Sequence, residues 1–225
     1  LGVSAVAARL GYNRAASHRF LATLRDLGYV EKDENHHYHL TFKILELGMK
    51  VASRFEIRTV ARAYMQELAS AFNETVNLGY WKEQRVFHLD KIDSPEILRI
   101  DTPLGSSAPA HCTALGKAIL AYLPPDELET YLKTVRLVPH SPATITSKKK
   151  LRQELIKVLQ QGCAVDDEEL SLGLRCVAAP VFDHTGNVRY ALSISAPSSR
   201  MPLESIEKFQ QKLRDVCRRL SAQLR

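Results

Sequence analysis

The first forty residues contain two short helical patterns of apolar side chains, separated by polar breaks. Residues 4–10 place apolar side chains at helical spacing behind Ser4, a residue type that often caps helices, and the pattern ends at Gly11. Residues 14–27 form a second helical pattern, which ends at the following glycine. Its predicted buried face consists of Ala16, Phe20, Leu24 and Leu27. The pattern therefore predicts two helices joined by a short turn.

Two short segments of strand character follow, at residues 29–32 and 37–40, with a polar turn between them. Two helices followed directly by a β-hairpin are typical of a winged helix-turn-helix, whose second helix enters the major groove of DNA. Arg14, His18 and Arg25 share an arc of roughly 40° opposite the apolar face, at ~100° per residue. The alternative is a small helical hairpin whose charged face is simply solvated.

Residues 41–55 form a third helical pattern, in which Leu45, Gly48, Ala52 and Phe55 recur at a spacing of three and four residues. Ile44 and Val51 lie beside this stripe. A stripe of this kind can be the seam of a dimer or core against the next domain, and the spacing leaves both interpretations open.

Helical and strand patterns continue to the end of the chain. Helices are predicted at residues 58–72, 113–122, 148–161 and 203–224. Strands are predicted at residues 75–81, 85–92, 97–101, 174–182 and 188–196, with an acidic turn at 166–169. Residues 102–111 are predicted to be a loop. The helix at 113–122 comes after this loop, and Pro124-Pro125 is predicted to end it.

Two of these segments favour a site for a small polar molecule. The loop at 102–111 leads into a helix N-terminus, where free amide N–H groups and the helix dipole attract anions. In the strand at 188–196, large apolar side chains occupy one face, while Ser193 and Ser195 occupy the other. Such a strand can form the floor of a polar pocket. The alternative is a half-exposed strand whose serines face water.

Composition and charge narrow the class of protein. The chain has 225 residues, 45% hydrophobic and 25% charged, which is globular composition and excludes disordered, collagen-like and disulfide-scaffold classes. No apolar run approaches the ~20 residues that a membrane span needs, and no secretory signal is recognisable. We therefore expect no membrane partner. The four cysteines lack CxxC spacing, so free thiols in a reducing cytoplasm are expected. The net charge of +6 permits nucleic-acid binding.

Several stretches resemble the IclR family of bacterial transcriptional regulators: residues 2–11, 17–24, 27–30, 38–40, 45–48, 110–117, 166–169, 173–178 and 193–197. The resemblance implies an α+β protein with a winged helix-turn-helix at 1–40, a linker helix at 41–55 and an effector-binding domain at 56–225. That last domain should be GAF-like, with an antiparallel sheet flanked by helices. The family's first helix lies before residue 1. The resemblance also implies homodimers or dimers of dimers that bind double-stranded operator DNA.

Functional residues are expected in two groups, of which the effector contacts are carried over by position from the family. DNA contacts are expected from Arg14, Ser17, His18, Arg19 and Arg25. Effector contacts are expected from Ile97, Ala114, Leu115, Asp166, Leu174, Cys176, Ser193 and Ser195. Helix amides and serines suit a carboxylate, whereas Asp166 repels one unless it accepts a ligand hydroxyl or is protonated. The expected effector is therefore a small hydroxy- or keto-acid, and the family resemblance also implies aromatic carboxylates. Ala15-Ala16 departs from the polar pair usual in the family, so the operator sequence cannot be carried over.

Two other classes of protein compete with the regulator. His111, Cys112, Asp166 and Cys176 could form a nucleophilic or zinc enzyme, but no spacing is diagnostic and neighbouring side chains at 111 and 112 should point apart. We therefore expect no catalytic residues, no metal and no cofactor. The second alternative is a sensor or dimerisation module that does not bind DNA.

Overall fold

The computed structural model describes residues 1–52 and 55–224, except for the side chain of Ala52. The chain divides into two compact units, Leu1–Glu56 and Ile57–Arg225. Within the described residues, no helix is both long and apolar enough to cross a membrane.

The smaller unit is a helix-turn-helix with a β-hairpin. Its elements are α1 (Val3–Leu10), α2 (Arg14–Asp26), β1 (Val30–Lys32), β2 (Tyr38–Leu40) and α3 (Phe42–Ala52). Gly11 ends α1 with φ 68°, a left-handed conformation that favours glycine. The Asn13 side chain then caps α2 by accepting a hydrogen bond from the Ala16 amide at 2.7 Å. These two local signals produce the predicted turn.

The buried face of α2 differs from the prediction. Leu21 packs with Val30 and Tyr38 of the hairpin, and Ser17 on the same face is 1% exposed. The predicted core residues Phe20, Leu24 and Leu27 are exposed, and Ala16 is only half-buried. The helix carries two apolar stripes, and periodicity cannot tell which of them α1 and the hairpin will cover.

Helix α3 begins as predicted but is described only to residue 52. Ser53 and Arg54, in the predicted C-terminal part of this helix, lie outside the described residues. Its large apolar side chains are exposed: Phe42, Ile44, Leu45, Leu47, Met49 and Val51.

The larger unit is built around one antiparallel sheet. Its helices are α4 (Glu56–Phe72), α5 (Ala114–Leu120), α6 (Pro125–Thr134), α7 (Lys148–Gln161) and α8 (Ile206–Gln223). Its strands are β3 (Thr75–Lys82), β4 (Arg85–Ile92), β5 (Ser107–Pro109), β6 (Ala164–Asp167), β7 (Leu174–Phe182) and β8 (Val188–Pro197). The strand order is β5-β4-β3-β8-β7-β6, and each neighbouring pair is antiparallel. The α+β class predicted from the sequence is confirmed.

Helices cover the central strands of this sheet. Helix α8 packs on β7 and β8, and its Phe209 stacks on Phe72 of α4 with ring centroids 4.2 Å apart. Helix α5 also packs on β7 and β8, within a core cluster that includes Ala118, Leu151 of α7 and Ala178. Burial of these apolar faces provides the main stabilising free energy of the unit.

Two predicted elements were wrong, and one helix was missed. Residues 97–101 are not a strand, because no neighbouring strand pairs with them, and the edge strand is β5 instead. The acidic turn predicted at 166–169 is only partly a turn, because Asp166 and Asp167 belong to β6 and pair with β7. Helix α6 was missed because Pro125 was interpreted only as a stop, although proline is also suited to the first position of a helix.

Candidate functional site

Polar side chains form two adjacent rows across the sheet. Asp166 of β6 lies opposite Cys176 of β7, which lies opposite Ser195 of β8. In the neighbouring row, Ser193 of β8 lies opposite Asn77 of β3. Directly opposed residues of antiparallel strands share a face. Strand pairing therefore gathers side chains that are more than a hundred residues apart in sequence onto one surface.

A cavity of about 350 Å³ lies over this surface, a size suited to a small molecule. Its walls are the sheet, residues 100–103 and 106–109, and the start of α5. Seven predicted effector residues line it: Ala114, Leu115, Asp166, Leu174, Cys176, Ser193 and Ser195. The prediction for Ile97 was wrong, because its side chain is fully exposed and outside the lining. That prediction was carried over by position from the family resemblance, and residues 97–101 do not form the strand predicted there.

Ser195 is the centre of a hydrogen-bond network in the cavity floor. Its Oγ accepts from Asn77 Nδ2 at 3.3 Å and from the Cys176 thiol at 3.2 Å. With two donors directed at its oxygen, the hydroxyl hydrogen of Ser195 is left to donate to a ligand. Both serines are buried, at 2% and 5% exposure, which decides against the alternative in which they face water.

Asp166 is fully buried at the far end of this floor. Its Oδ1 accepts from the backbone N–H groups of Glu169 at 2.8 Å and Leu170 at 3.3 Å. Oδ2 is buried without a hydrogen-bond partner. Burial raises the pKa of Asp166 to about 7, and the charge of Glu169 acts in the same direction. Asp166 therefore changes charge near neutral pH.

Two further polar residues of the lining were missed by sequence analysis. Asn77 is 1% exposed and its Oδ1 has no partner, and His88 Nδ1 is also buried without one. Desolvation lowers the pKa of His88 to about 4, with a smaller contribution from Lys91, so the imidazole is neutral. A polar residue between the apolar neighbours Val76 and Leu78 was the available signal for Asn77. For His88 the sequence offered no signal.

A buried ion pair joins Lys117 to Glu169, in the acidic segment 166–169. Lys117 of α5 is completely buried, donates to Glu169 Oε1 and lies 3.6 Å from Glu154. The two carboxylates compensate the lysine charge, which desolvation would otherwise disfavour. This contact ties α5 to the turn that holds Asp166.

The start of α5 fits closely against the preceding turn. Thr113 caps the helix by accepting from the Gly116 amide at 3.2 Å. A side chain at Gly116 would overlap the Ala110 backbone, so glycine is required there. Ala114 and Leu115, whose amides belong to the first helical turn, border the cavity.

In the smaller unit, α2 presents a basic face. Arg14, His18, Arg19 and Arg25 are exposed, and the first three border a shallow concavity with Asn13. Ser17 is the exception among the predicted DNA contacts. Its side chain points into the unit and is 1% exposed, so we correct that prediction.

Comparison with known proteins decides the family. The IclR helix-turn-helix domain matches residues 1–34, and the C-terminal domain of bacterial IclR transcriptional regulators matches residues 49–222. The chain belongs to the IclR family. Its members are DNA-binding transcriptional regulators rather than enzymes, which decides against the catalytic alternative.

Individual IclR-family relatives match along nearly their whole length. The chain is 36% identical to the HTH-type transcriptional regulator KdgR of Escherichia coli over all 225 of its residues and 86% of that protein. It is 29% identical to KipR of Bacillus subtilis, over 90% of that protein. Among solved structures, the IclR protein of Thermotoga maritima superposes with a TM-score of 0.82 at 32% identity, covering the whole chain and 91% of its own.

One similar fold was solved with a small acid. An IclR homologue from Microbacterium hydrocarbonoxydans, complexed with 4-hydroxybenzoate, superposes with a TM-score of 0.86 over 99% of this chain and 90% of its own. At 21% identity, this comparison shows a shared fold.

Proposed function

We propose that this IclR-family regulator binds a small organic acid in the cavity of its larger unit, and that the bound acid changes its affinity for operator DNA. The effector class that fits best is a carboxylate that also carries a hydroxyl group. The observation that carries the proposal is the set of three buried polar atoms without hydrogen-bond partners: Asn77 Oδ1, which can only accept, His88 Nδ1 and Asp166 Oδ2.

Unpaired buried polar atoms favour a ligand that supplies donors. Each buried group left without a hydrogen bond costs about 1–3 kcal/mol, so a ligand hydroxyl that donates to one of them recovers free energy on binding. A plain fatty acid supplies no such donor and would leave these atoms unpaired. A hydroxy acid therefore fits better than its deoxygenated analogue.

The cavity also contains neutral hydrogen-bond donors for the carboxylate of the ligand. No lysine or arginine lines the cavity within the described part of the chain, so an anion must be bound by neutral donors. The Ser195 hydroxyl and the first-turn amides of α5 are such donors. The same hydroxyl can donate to a keto oxygen, which keeps a keto acid within the proposed class. The structural relative bound to 4-hydroxybenzoate, an aromatic acid with one hydroxyl, gives independent support.

The DNA-binding side of the proposal concerns α2. Its exposed Arg14, His18, Arg19 and Arg25 would enter the major groove and contact bases and phosphates. Exposed apolar side chains of α3 favour pairing of two chains. The two copies of α2 would then be related by a two-fold axis, which requires a palindromic operator. We propose a homodimer, or a dimer of dimers, as the DNA-binding species.

The test is a thermal-shift screen with pairs of acids that differ by one hydroxyl, such as 4-hydroxybenzoate against benzoate and lactate against propionate. A ligand at 100 times its Kd stabilises the folded protein by about 2.7 kcal/mol, which raises the Tm by a few degrees. We expect the hydroxylated member of a pair to give the larger shift. Equal shifts within every pair would contradict the role of the unpaired polar atoms.

Variants identify the site of binding. The double variant Ser193→Ala/Ser195→Ala should lose the shift, whereas Ser199→Ala, an exposed serine next to the end of β8, should keep it. A ligand that passes this test should change the Kd for operator DNA selected from a random library. A ligand that binds without changing that Kd would separate effector binding from regulation.

A further inference from the structure

Three metal-ligating side chains meet outside the proposed effector cavity. The ligand atoms of His111, Cys112 and His140 all lie within 4.8 Å of one another. His111 and Cys112 are buried, at 2% and 0% exposure, while His140 is exposed. The cluster is therefore enclosed on the protein side and open to solvent at His140. The expectation that neighbouring side chains at 111 and 112 point apart does not hold.

Two segments of fixed conformation bring these side chains together. Residues 110–112 form a short 3-10 turn directly before the cap of α5. His140 lies on the loop between α6 and α7, where its amide donates to Thr144 Oγ1 at 3.0 Å. Thr144 Oγ1 in turn donates to the carbonyl of Glu169 at 2.6 Å. The third ligand is thus carried by an anchored loop.

The hydrogen bonding of His111 prepares one ring nitrogen for a metal. Its Nε2 lies 3.1 Å from the Val138 carbonyl, which can only accept, so the proton is on Nε2. Nδ1 then carries a free lone pair, and it is buried without a partner. A histidine that donates from one nitrogen to a backbone carbonyl and leaves the other free is the usual arrangement in metal sites. Desolvation also lowers the pKa of His111, which keeps the ring neutral.

The surrounding charges favour a cation. The thiol of Cys112 has its pKa raised to about 12, by burial first and then by the charges of Asp166 and Glu169. The two carboxylates that disfavour a free thiolate stabilise a positive ion at the same place. Lys117, the nearby cation, is paired with Glu169 and Glu154.

We propose that His111, Cys112 and His140 form a site for a divalent cation that prefers sulfur and nitrogen ligands, for which Zn²⁺ is the best match. One thiolate and two imidazoles are typical zinc ligands, and the fourth tetrahedral position is left for water. Binding forms the S–Zn bond and releases the thiol proton of Cys112 to solvent.

A bound ion would link the loop of His140 to the turn before α5. Cys112 directly precedes Thr113 and Ala114, which line the proposed effector cavity. The ion would therefore hold this part of the cavity wall in place while lying outside the cavity itself. This site is independent of the effector proposal, since it shares no lining residue with that cavity.

The experiment is titration of the reduced, metal-free full chain with Zn²⁺ in competition with a chromophoric chelator, together with Co²⁺ as a spectroscopic probe. We expect one ion per chain, a sulfur-to-cobalt charge-transfer band, and release of a proton on Zn²⁺ uptake. His140→Ala should weaken binding at least ~10-fold, since even changes to groups that merely orient metal ligands cost about 10–100-fold. Because His140 is exposed, this variant should leave the metal-free Tm unchanged.

Matched variants separate this site from adventitious binding. The hairpin histidines His37 and His39 lie near Asp33 and could hold zinc weakly, so His39→Ala is the control and should leave the affinity unchanged. Cys112→Ser should abolish the charge-transfer band. A cobalt spectrum without that band, or zinc affinity that survives His140→Ala but falls in His39→Ala, would overturn the proposal.

Discussion

At the scale of single residues, the sequence located most of the cavity lining but not the hydrogen bonds within it. Ser193, Ser195 and Cys176 were predicted from their motifs and lie in one cavity. Their partner Asn77 was not predicted, because its relation to Ser195 depends on strand pairing across 118 residues of sequence. The unpaired atoms that define the expected ligand were also beyond sequence analysis, since burial and hydrogen bonding are properties of the folded chain.

Asp166 provides a residue-scale prediction on pH and stability. Its pKa is raised to about 7 in the folded state from the ordinary value of 3.8, so the folded state holds its proton more tightly than the unfolded state. Between these two values, the contribution of Asp166 to stability is lost as pH rises, by at most about 1.4 kcal/mol per pH unit. Below pH 4 and well above pH 7 its contribution no longer changes.

Asp166→Asn should remove this dependence, because the amide stays neutral. The free energy of unfolding, measured with urea between pH 4 and 8.5, should favour the variant increasingly as pH rises and then level off above pH 7. Asp26→Asn, at an exposed side chain, is the control and should shift the curve little. A constant difference between Asp166→Asn and the parent across this range would show that Asp166 has an ordinary pKa.

At the scale of secondary-structure elements, periodicity predicted the helices that have clear polar and apolar faces. It failed for segments that become strands only by pairing with another strand. Strand β5 contains Pro109 and exists because it pairs with β4 at the edge of the sheet. Residues 97–101 have a comparable apolar pattern but no pairing partner. Helix α2 was predicted within one residue at its end, yet its buried face was assigned to the wrong stripe.

Helix α2 gives a prediction on DNA binding. Each phosphate contact adds about 0.9 to the slope of log K against log salt, so Arg14→Ala/Arg19→Ala should reduce that slope by up to ~2. Arg218→Gln, at an exposed side chain of α8 in the larger unit, is the control and should leave the slope unchanged. Fluorescence anisotropy with operator DNA at several salt concentrations measures both. A slope unaffected by the α2 variant would move the DNA-contacting surface elsewhere.

At the scale of the whole molecule, α3 is the element that we propose pairs with a second chain. Its apolar residues Leu45, Leu47 and Val51 are exposed, although water disfavours a contiguous apolar surface. The sequence left open a dimer seam or an intramolecular core. The smaller unit by itself does not cover these side chains, and the proposed homodimer would bury them.

Charge on this surface should therefore oppose self-association. Leu45→Glu/Val51→Glu should raise the dimer dissociation constant by at least ~10-fold, since it loses two buried side chains worth roughly 1.5–3 kcal/mol each. Glu46→Gln on the same helix, where Glu46 pairs with Lys50, is the control. Sedimentation equilibrium over a range of protein concentrations measures the constant. Unchanged association in the double variant would place the dimer interface on other elements.

The sequence by itself determined the helix-turn-helix, the hairpin, the α+β class and the family, because these follow from local periodicity, caps and short motifs. Only the tertiary structure decided which stripe of α2 is buried, which acceptors in the cavity lack partners, and that His140 meets His111 and Cys112. The physical reason is the range of the interactions. Backbone propensities act over a few residues, whereas burial, strand register and side-chain clusters arise from contacts between segments far apart in the chain.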